Sequence, residues 1–256
     1  MTTPPARPLV IGNWKMNLTA SESETHVRSL LPRLGSPSDR DVAVAPPYTS
    51  LWSVAPLLEG SGVTLAAQDL FWEDEGPYTG EISGVMLQEC GVVYVLVAHS
   101  ERRRHLKETD RAAGLKIKAA LRSGLRPVLC VGEDEAERAA GRAASVVRSQ
   151  LVLALDGVEP AEAPRLQVAY EPVWAIGTGQ AATAAQAEEM HALIRHEMRA
   201  LFKDAAAGVR ILYGGSVTPR NVDELMATAG VDGVLVGGAS LDAEEFARIA
   251  AFRARR

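Results

Sequence analysis

Apolar positions along this chain fall into short continuous runs separated by longer amphipathic stretches, and the alternation repeats from end to end. The runs are PLVIGNW, DVAVAPP, VTLAAQ, VVYVLVAH, RPVLCVG, LQVAYEP, VRILYGG and DGVLVGG. None alternates strictly between apolar and polar. Each therefore reads as a parallel strand buried on both faces rather than a strand with one wet side. Between them, TASESETHVRSLLPRL, TAAQAEEMHALIRHEM and TPRNVDELMATA carry helical spacing. Thr218 followed by Pro219 predicts an N-cap and first-turn pair. Eight strand-then-helix units in 256 residues predict a closed α/β barrel, (β/α)8, and with no linker or composition shift to divide them the whole chain, 1–256, is expected to be one domain. A doubly wound open sheet is the alternative. The segment QDLFWEDEGPYTGEIS, Gln68 to Ser83, is longer and richer in turn residues than a routine connection.

Composition narrows the function. A formal net charge of −5 gives no basic field to attract phosphate backbones, so no nucleic-acid partner is expected. The one basic cluster, ERRRHLK, has its own acid and is followed by Glu108 and Asp110, and reads as a solvated, ion-paired helix start. Cys90 and Cys130 have neither metal-ligand nor disulfide-framework spacing, which suits a reducing compartment. The start MTTPPARP has no apolar targeting core, and the longest apolar run is too short to span a bilayer. No membrane association is expected, and the cytoplasm is the expected location.

In a (β/α)8 barrel the working groups lie at the carboxyl ends of the strands. There the sequence offers Asn13 and Lys15 after the first strand, His99 after the fourth and Glu171 after the sixth. An amide, an ammonium, an imidazole and a carboxylate without metal-ligand spacing suggest proton transfer next to a carbonyl, with no metal. Each alone has an ordinary explanation as turn former, surface charge, satisfied strand-end histidine or cap. Two glycine pairs, in YGGSV and LVGGAS after the seventh and eighth strands, can turn backbone N–H groups toward an anion, so the substrate is expected to carry a phosphate. Either pair alone could instead be a tight strand-to-helix turn, but both occur, on adjacent strands.

With these residues in view the chain resembles the triosephosphate isomerase family, through GNWKMN, TGEIS, HSERR, KETD, PVLCVGE, AYEPVWAIGTG, YGGSV and GVLVGGAS. The resemblance covers nearly the whole length. It implies the same eightfold barrel, the TIM barrel, and a cofactor-independent interconversion of dihydroxyacetone phosphate and D-glyceraldehyde 3-phosphate in glycolysis and gluconeogenesis. It implies Glu171 as the base, His99 as the electrophile, Lys15 as charge balance, Asn13 as an orienting group and Glu101 as an accessory carboxylate. The neutral state of that imidazole is a known feature of this family, not a reading of these residues. Gly177, Ser216, Gly237 and Gly238 match the phosphate-contacting positions.

The resemblance also implies that Pro172, Val173, Trp174, Ala175, Ile176, Gly177, Thr178 and Gly179 form a lid. Proline stiffens one hinge, glycines loosen the other, and the apolar tip excludes water. It further implies a homodimer in which the Gln68–Ser83 loop docks on a second copy, with Gln68, Tyr78 and Thr79 at the interface. Phe71, Trp72 and Tyr78 are then aromatics that a monomer would expose. Four departures from the family pattern stand out: Ala98 in place of a usual glycine, Asp69 in place of a common asparagine, Pro77–Tyr78 ahead of TGEIS, and no proline after the lid.

Alternative functions are another phosphate-binding barrel enzyme, an aldolase or a sugar-phosphate epimerase, or a non-catalytic barrel. A Schiff-base aldolase would need its lysine on strand six, where Glu171 stands. A metal-dependent epimerase would need clustered histidines, whereas His26, His105, His191 and His196 are expected on solvated helix faces.

Overall fold

A computed structural model describes residues 7–35, 37–175 and 182–253. The eight runs are the eight strands: β1 (Leu9–Asn13), β2 (Asp41–Ala45), β3 (Val63–Ala67), β4 (Val92–Val97), β5 (Arg126–Val131), β6 (Gln167–Tyr170), β7 (Arg210–Tyr213) and β8 (Gly233–Val236). All neighbours are parallel, and β8 closes on β1 through Leu9 opposite Gly233, so the sheet is a closed barrel in sequence order. This is the (β/α)8 architecture that the alternation predicts, and the open sheet is excluded.

Two separate apolar clusters explain why the strands lack alternation. Leu9, Ile11, Ala43, Tyr94, Leu96, Val128, Ala169, Leu212 and Leu235 fill the barrel interior. Their neighbours along the strands, such as Val10, Val42, Val95, Leu129 and Val168, pack outward against the helices. Successive side chains point to opposite faces, and both faces are dry.

The helices are α1 (Ala20–Leu34), α2 (Tyr48–Leu58), α3 (Gly84–Glu89), α4 (Ser100–Leu106), α5 (Asp110–Arg122), α6 (Glu135–Ala139), α7 (Ala143–Ala154), α8 (Ala184–Phe202), α9 (Val222–Ala227) and α10 (Ala243–Ala250). Thr19 and Thr183 close capping boxes on α1 and α8 with Glu22 and Gln186. Thr218 behaves differently from the expectation. Its hydroxyl and the Asn221 side chain satisfy each other's backbone N–H, but this closes a turn, and regular helix begins at Val222. None of the described helices is long and apolar enough to cross a membrane.

Two solvation expectations are corrected. His26 and His191 are buried, each held by a backbone carbonyl: Ser240 O for His26 and Gly230 O for His191, both at 3.0 Å. The basic cluster is ion-paired as expected but not solvated at its start. Arg102 lies against Asp69 and Glu108, and Arg103 against Asp110.

The Gln68–Ser83 loop is pinned at its base by Phe71 N–H donating to Ile82 O at 2.8 Å, while 73–81 are exposed. Its aromatics are less exposed than expected. Phe71 stacks on Trp72 with ring centroids 4.1 Å apart and meets Tyr78 at 4.6 Å, so Tyr78 alone of the three presents an exposed ring.

Candidate active site

The carboxyl ends of the strands surround a cavity of about 610 Å³. Asn13, Lys15, His99, Glu101, Glu171, Ser216, Gly237 and Gly238 all line it. Residues separated by more than 200 positions in the chain therefore share one mouth, as the strand-end argument predicts.

Glu171 follows β6 directly, and its own N–H donates to Val131 O at 2.7 Å, so the strand ladder fixes its backbone. The residue is 1% exposed. Oε2 accepts the Ser100 N–H at 2.8 Å, at the first turn of α4, where unpaired N–H groups favour an anion. Oε1 lies 3.0 Å from His99 Nε2 but off the line of a hydrogen bond. Burial pushes the carboxyl upward, yet His99 and the Ser100 N–H together hold it below the usual carboxylate range.

His99 caps α4. Its Nδ1 accepts the Glu101 N–H at 3.3 Å, which assigns the ring proton to Nε2, the nitrogen facing Glu171. Burial pulls the imidazole down, but the Glu171 carboxylate, with Glu101 behind it, raises it above the ordinary value; this opposes the neutral ring that an accepting Nδ1 requires and that the family resemblance implies, and it depends on Glu171 staying at 3.0 Å.

Lys15 stands on a left-handed backbone, φ 52°, fixed by its N–H donating to Asn13 Oδ1 at 3.0 Å. Gln68 Nε2 donates to Lys15 O at 2.8 Å and to Ala45 O at 2.9 Å. Gln68 thus braces the lysine from within its own chain. The ammonium extends to Glu101 Oε1 at 2.6 Å, which keeps it in the mouth instead of in bulk water.

The first glycine pair has a use the sequence reading missed. A Cβ on Gly214 would sit 2.9 Å from Glu171 Cγ and 3.2 Å from Tyr170 O, so this position must be bare for Glu171 to lie where it does. Gly237 is bare against Lys15, whose Cε would be 3.4 Å from an added Cβ.

Of the lid, Pro172, Val173, Trp174 and Ala175 are described; Ile176, Gly177, Thr178 and Gly179 lie outside the described residues, and Gly177 with them as a phosphate contact. Val173–Ala175 is a short 3-10 turn. Trp174 Nε1 donates to Glu133 Oε1 at 2.9 Å, Val173 N–H donates to Glu133 O at 3.1 Å, and Tyr170 and Arg138 also reach the Glu133 carboxylate. The apolar start of the lid therefore covers a fully buried acid. Glu133 was missed as a site residue, although its place one glycine beyond β5 was a usable signal.

Thr79 and Tyr78 are exposed on the projecting loop, away from this chain's own mouth residues in sequence and contact. Among the described residues no cluster of His, Cys, Asp and Glu is arranged to hold a metal ion.

The model of the family described as triosephosphate isomerase matches residues 8–253. The chain belongs to the triosephosphate isomerase family. Triosephosphate isomerase of Herpetosiphon aurantiacus is 52% identical over 248 residues, covering 96% of this chain and 99% of that one. The Moorella thermoacetica triosephosphate isomerase is 50% identical, covering 95% and 97%. Among solved structures, triosephosphate isomerase from Bartonella henselae superposes with a TM-score of 0.87 at 40% identity, covering 95% of this chain and 98% of that one. As a member of the triosephosphate isomerase family, the chain is an isomerase built on a TIM barrel.

Proposed function

We propose that this chain interconverts dihydroxyacetone phosphate and D-glyceraldehyde 3-phosphate in glycolysis and gluconeogenesis, moving a proton between adjacent carbons through an enediolate. The observation that carries the reading is the buried Glu171 carboxylate beside His99 Nε2, in a cavity that also holds Lys15. Glu171 is the base that takes the carbon-bound proton, and its depressed pKa keeps it ionised for that step. His99, with its proton on Nε2, donates to the substrate carbonyl as charge develops there. Lys15 offsets the negative charge of substrate and enediolate, and Asn13 orients the substrate. Glu101 fixes the lysine at 2.6 Å and is the accessory carboxylate. Ser216, Gly237 and Gly238, with Gly177, receive the phosphate. A 3.0 Å approach leaves no space for a substrate carbon between base and imidazole, so binding must draw Glu171 aside.

Pro172 to Gly179 act as the lid. The Trp174 contact with Glu133 holds the first hinge, and breaking it accompanies closure. The chain folds as one domain over 1–256, works in the cytoplasm, and pairs as a two-fold homodimer through the Gln68–Ser83 loop. In that dimer Tyr78 is covered, and Thr79 reaches Asn13 and Lys15 of a second copy. Support for this is the exposed Tyr78 ring on the loop and, beside Lys15, the exposed Met16, two apolar side chains that a second copy would cover.

The test is a coupled assay on glyceraldehyde 3-phosphate alone, with sedimentation on the same sample. Isomerisation by a dimer supports the reading. Aldol chemistry or epimerisation in its place would favour the other phosphate-binding barrels, and no turnover at all would favour a non-catalytic barrel.

A further inference from the structure

Ala98, the residue before His99, has φ 58° and is fully buried. In this left-handed region a Cβ crowds the following carbonyl, and a non-glycine residue stays there only when its surroundings hold it. Both backbone polar groups of Ala98 are taken by charged side chains. Its N–H donates to Glu108 Oε1 at 3.1 Å, and its carbonyl accepts from Arg103 Nε at 2.8 Å.

The two holders are themselves fixed. Glu108 Oε2 accepts from Arg102 Nε at 2.6 Å and from Lys116 Nζ at 2.9 Å. Lys116 also donates to both oxygens of Asp69, at 2.6 and 2.8 Å, and Arg102 lies 2.7 Å from Asp69. Two cations and two anions thus close on one another, leaving Glu108 Oε1 aimed at Ala98. Arg103 is tied to Asp110 Oδ1 at 2.5 Å and donates to Cys130 O at 3.1 Å.

We propose that Glu108 and Arg103 are positioning residues that hold Ala98 in its left-handed turn and thereby aim the His99 imidazole into the cavity. If Ala98 relaxed to an ordinary backbone region, the peptide entering His99 would rotate. The imidazole would then leave both the Glu101 N–H and Glu171, while Lys15 and the glycine turns stayed in place. Loss of the clamp is therefore read in kcat and not in KM. With glycine at this position the left-handed turn needs no holding, so the alanine makes the clamp matter.

The proposal rests on the isomerase reading, and its test is a cycle of four proteins: the unaltered chain, Glu108→Gln, Ala98→Gly and the double variant. A glutamine must turn its amide nitrogen toward either the Ala98 N–H or the two cations, so one of them loses its acceptor. Glu108→Gln is expected to lower kcat about tenfold with KM changed less than about twofold, and in the Ala98→Gly background the loss shrinks to under about threefold. Equal losses in both backgrounds, or a loss confined to KM, overturn the proposal. If Glu108→Gln does not fold, the same cycle with the partly exposed Arg103→Met gives the same pair of outcomes. If the unaltered chain does not isomerise, the isomerase reading fails by itself. The clamp is then judged from the His99 imidazole nitrogen resonances, which must shift in the single variant and return in the double one; unmoved resonances overturn it.

Discussion

At the amino-terminal end of the strands Arg210 donates to Asp41 at 2.6 Å, to Arg7 O at 3.2 Å and to the Tyr94 hydroxyl at 2.8 Å. At the carboxyl end Lys15, His99 and Glu171 make fewer side-chain bonds and line the cavity. Both ends bring cations and carboxylates together from strands that are not neighbours, and both pair them, but Arg210 is closed in by its partners whereas Lys15, His99 and Glu171 pair on the wall of the cavity. A buried charge with all its partners in place stabilises nothing cheaply, yet removing one partner is expensive. A charge paired on the wall of a cavity can exchange that partner for a substrate that enters. The difference separates stability from reactivity within one barrel.

Substitutions at the two ends should therefore act on different properties. The largest effect is expected for Glu171→Gln, which cannot accept a proton: turnover should fall by roughly 10² to 10⁴-fold with the fold retained, read from the coupled assay and circular dichroism. Lys15→Met should lower kcat/KM by about a hundredfold, with the loss shared between weaker binding and slower reaction. A Lys15→Met protein with full activity would return that ammonium to the surface charges.

The opposite end should answer in the opposite currency. Arg210→Met removes the donor to the Tyr94 hydroxyl and leaves Asp41 with Arg7 alone, 3.5 Å away, and should lower the unfolding free energy by about 2 kcal/mol while kcat stays within twofold. Urea unfolding and the coupled assay on the same sample check both halves. A large fall in kcat without loss of stability would erase the distinction between the ends.

A smaller, pH-dependent effect sharpens the picture away from both ends. His191 donates from Nδ1 to Gly230 O, nothing among the described residues meets its Nε2, and burial pushes it down to about 4. Its folded pKa lies below its unfolded value, so between those values the unfolded chain binds the extra proton and stability falls as pH falls. The loss attributable to His191 should be about 1.5 kcal/mol on going from pH 6.5 to 5, and His191→Gln should flatten the slope by that amount. An unchanged slope in the variant would assign the acid sensitivity elsewhere.

The strands and the mouth were legible because their signals are local. A strand dry on both faces must be apolar throughout, and the residues just beyond it are the ones that can reach the mouth, so Asn13, Lys15, His99 and Glu171 could be named as candidates without knowing their partners. What stayed hidden depends on contacts between distant positions. Asp69 and Lys116 are 47 residues apart, and Glu133 and Trp174 are 41 apart. No spacing rule pairs them. His26 and His191 were misjudged for a related reason: helical periodicity gives the face of a helix, but the carbonyls that accept from these rings belong to other segments. The glycine pair after β7 was read as an anion turn, while the packing of Glu171 against Gly214 is visible only in three dimensions.

If the mouth's carboxylate moves the substrate's hydrogen, the hydrogen itself can be followed. Glyceraldehyde 3-phosphate turned over in deuterated water, observed by proton NMR, should yield dihydroxyacetone phosphate carrying solvent deuterium on the carbon that received the proton. Glu171→Gln, shown to be folded, should lose isomerisation and labelling together. Labelling at an undiminished rate in Glu171→Gln would contradict the account.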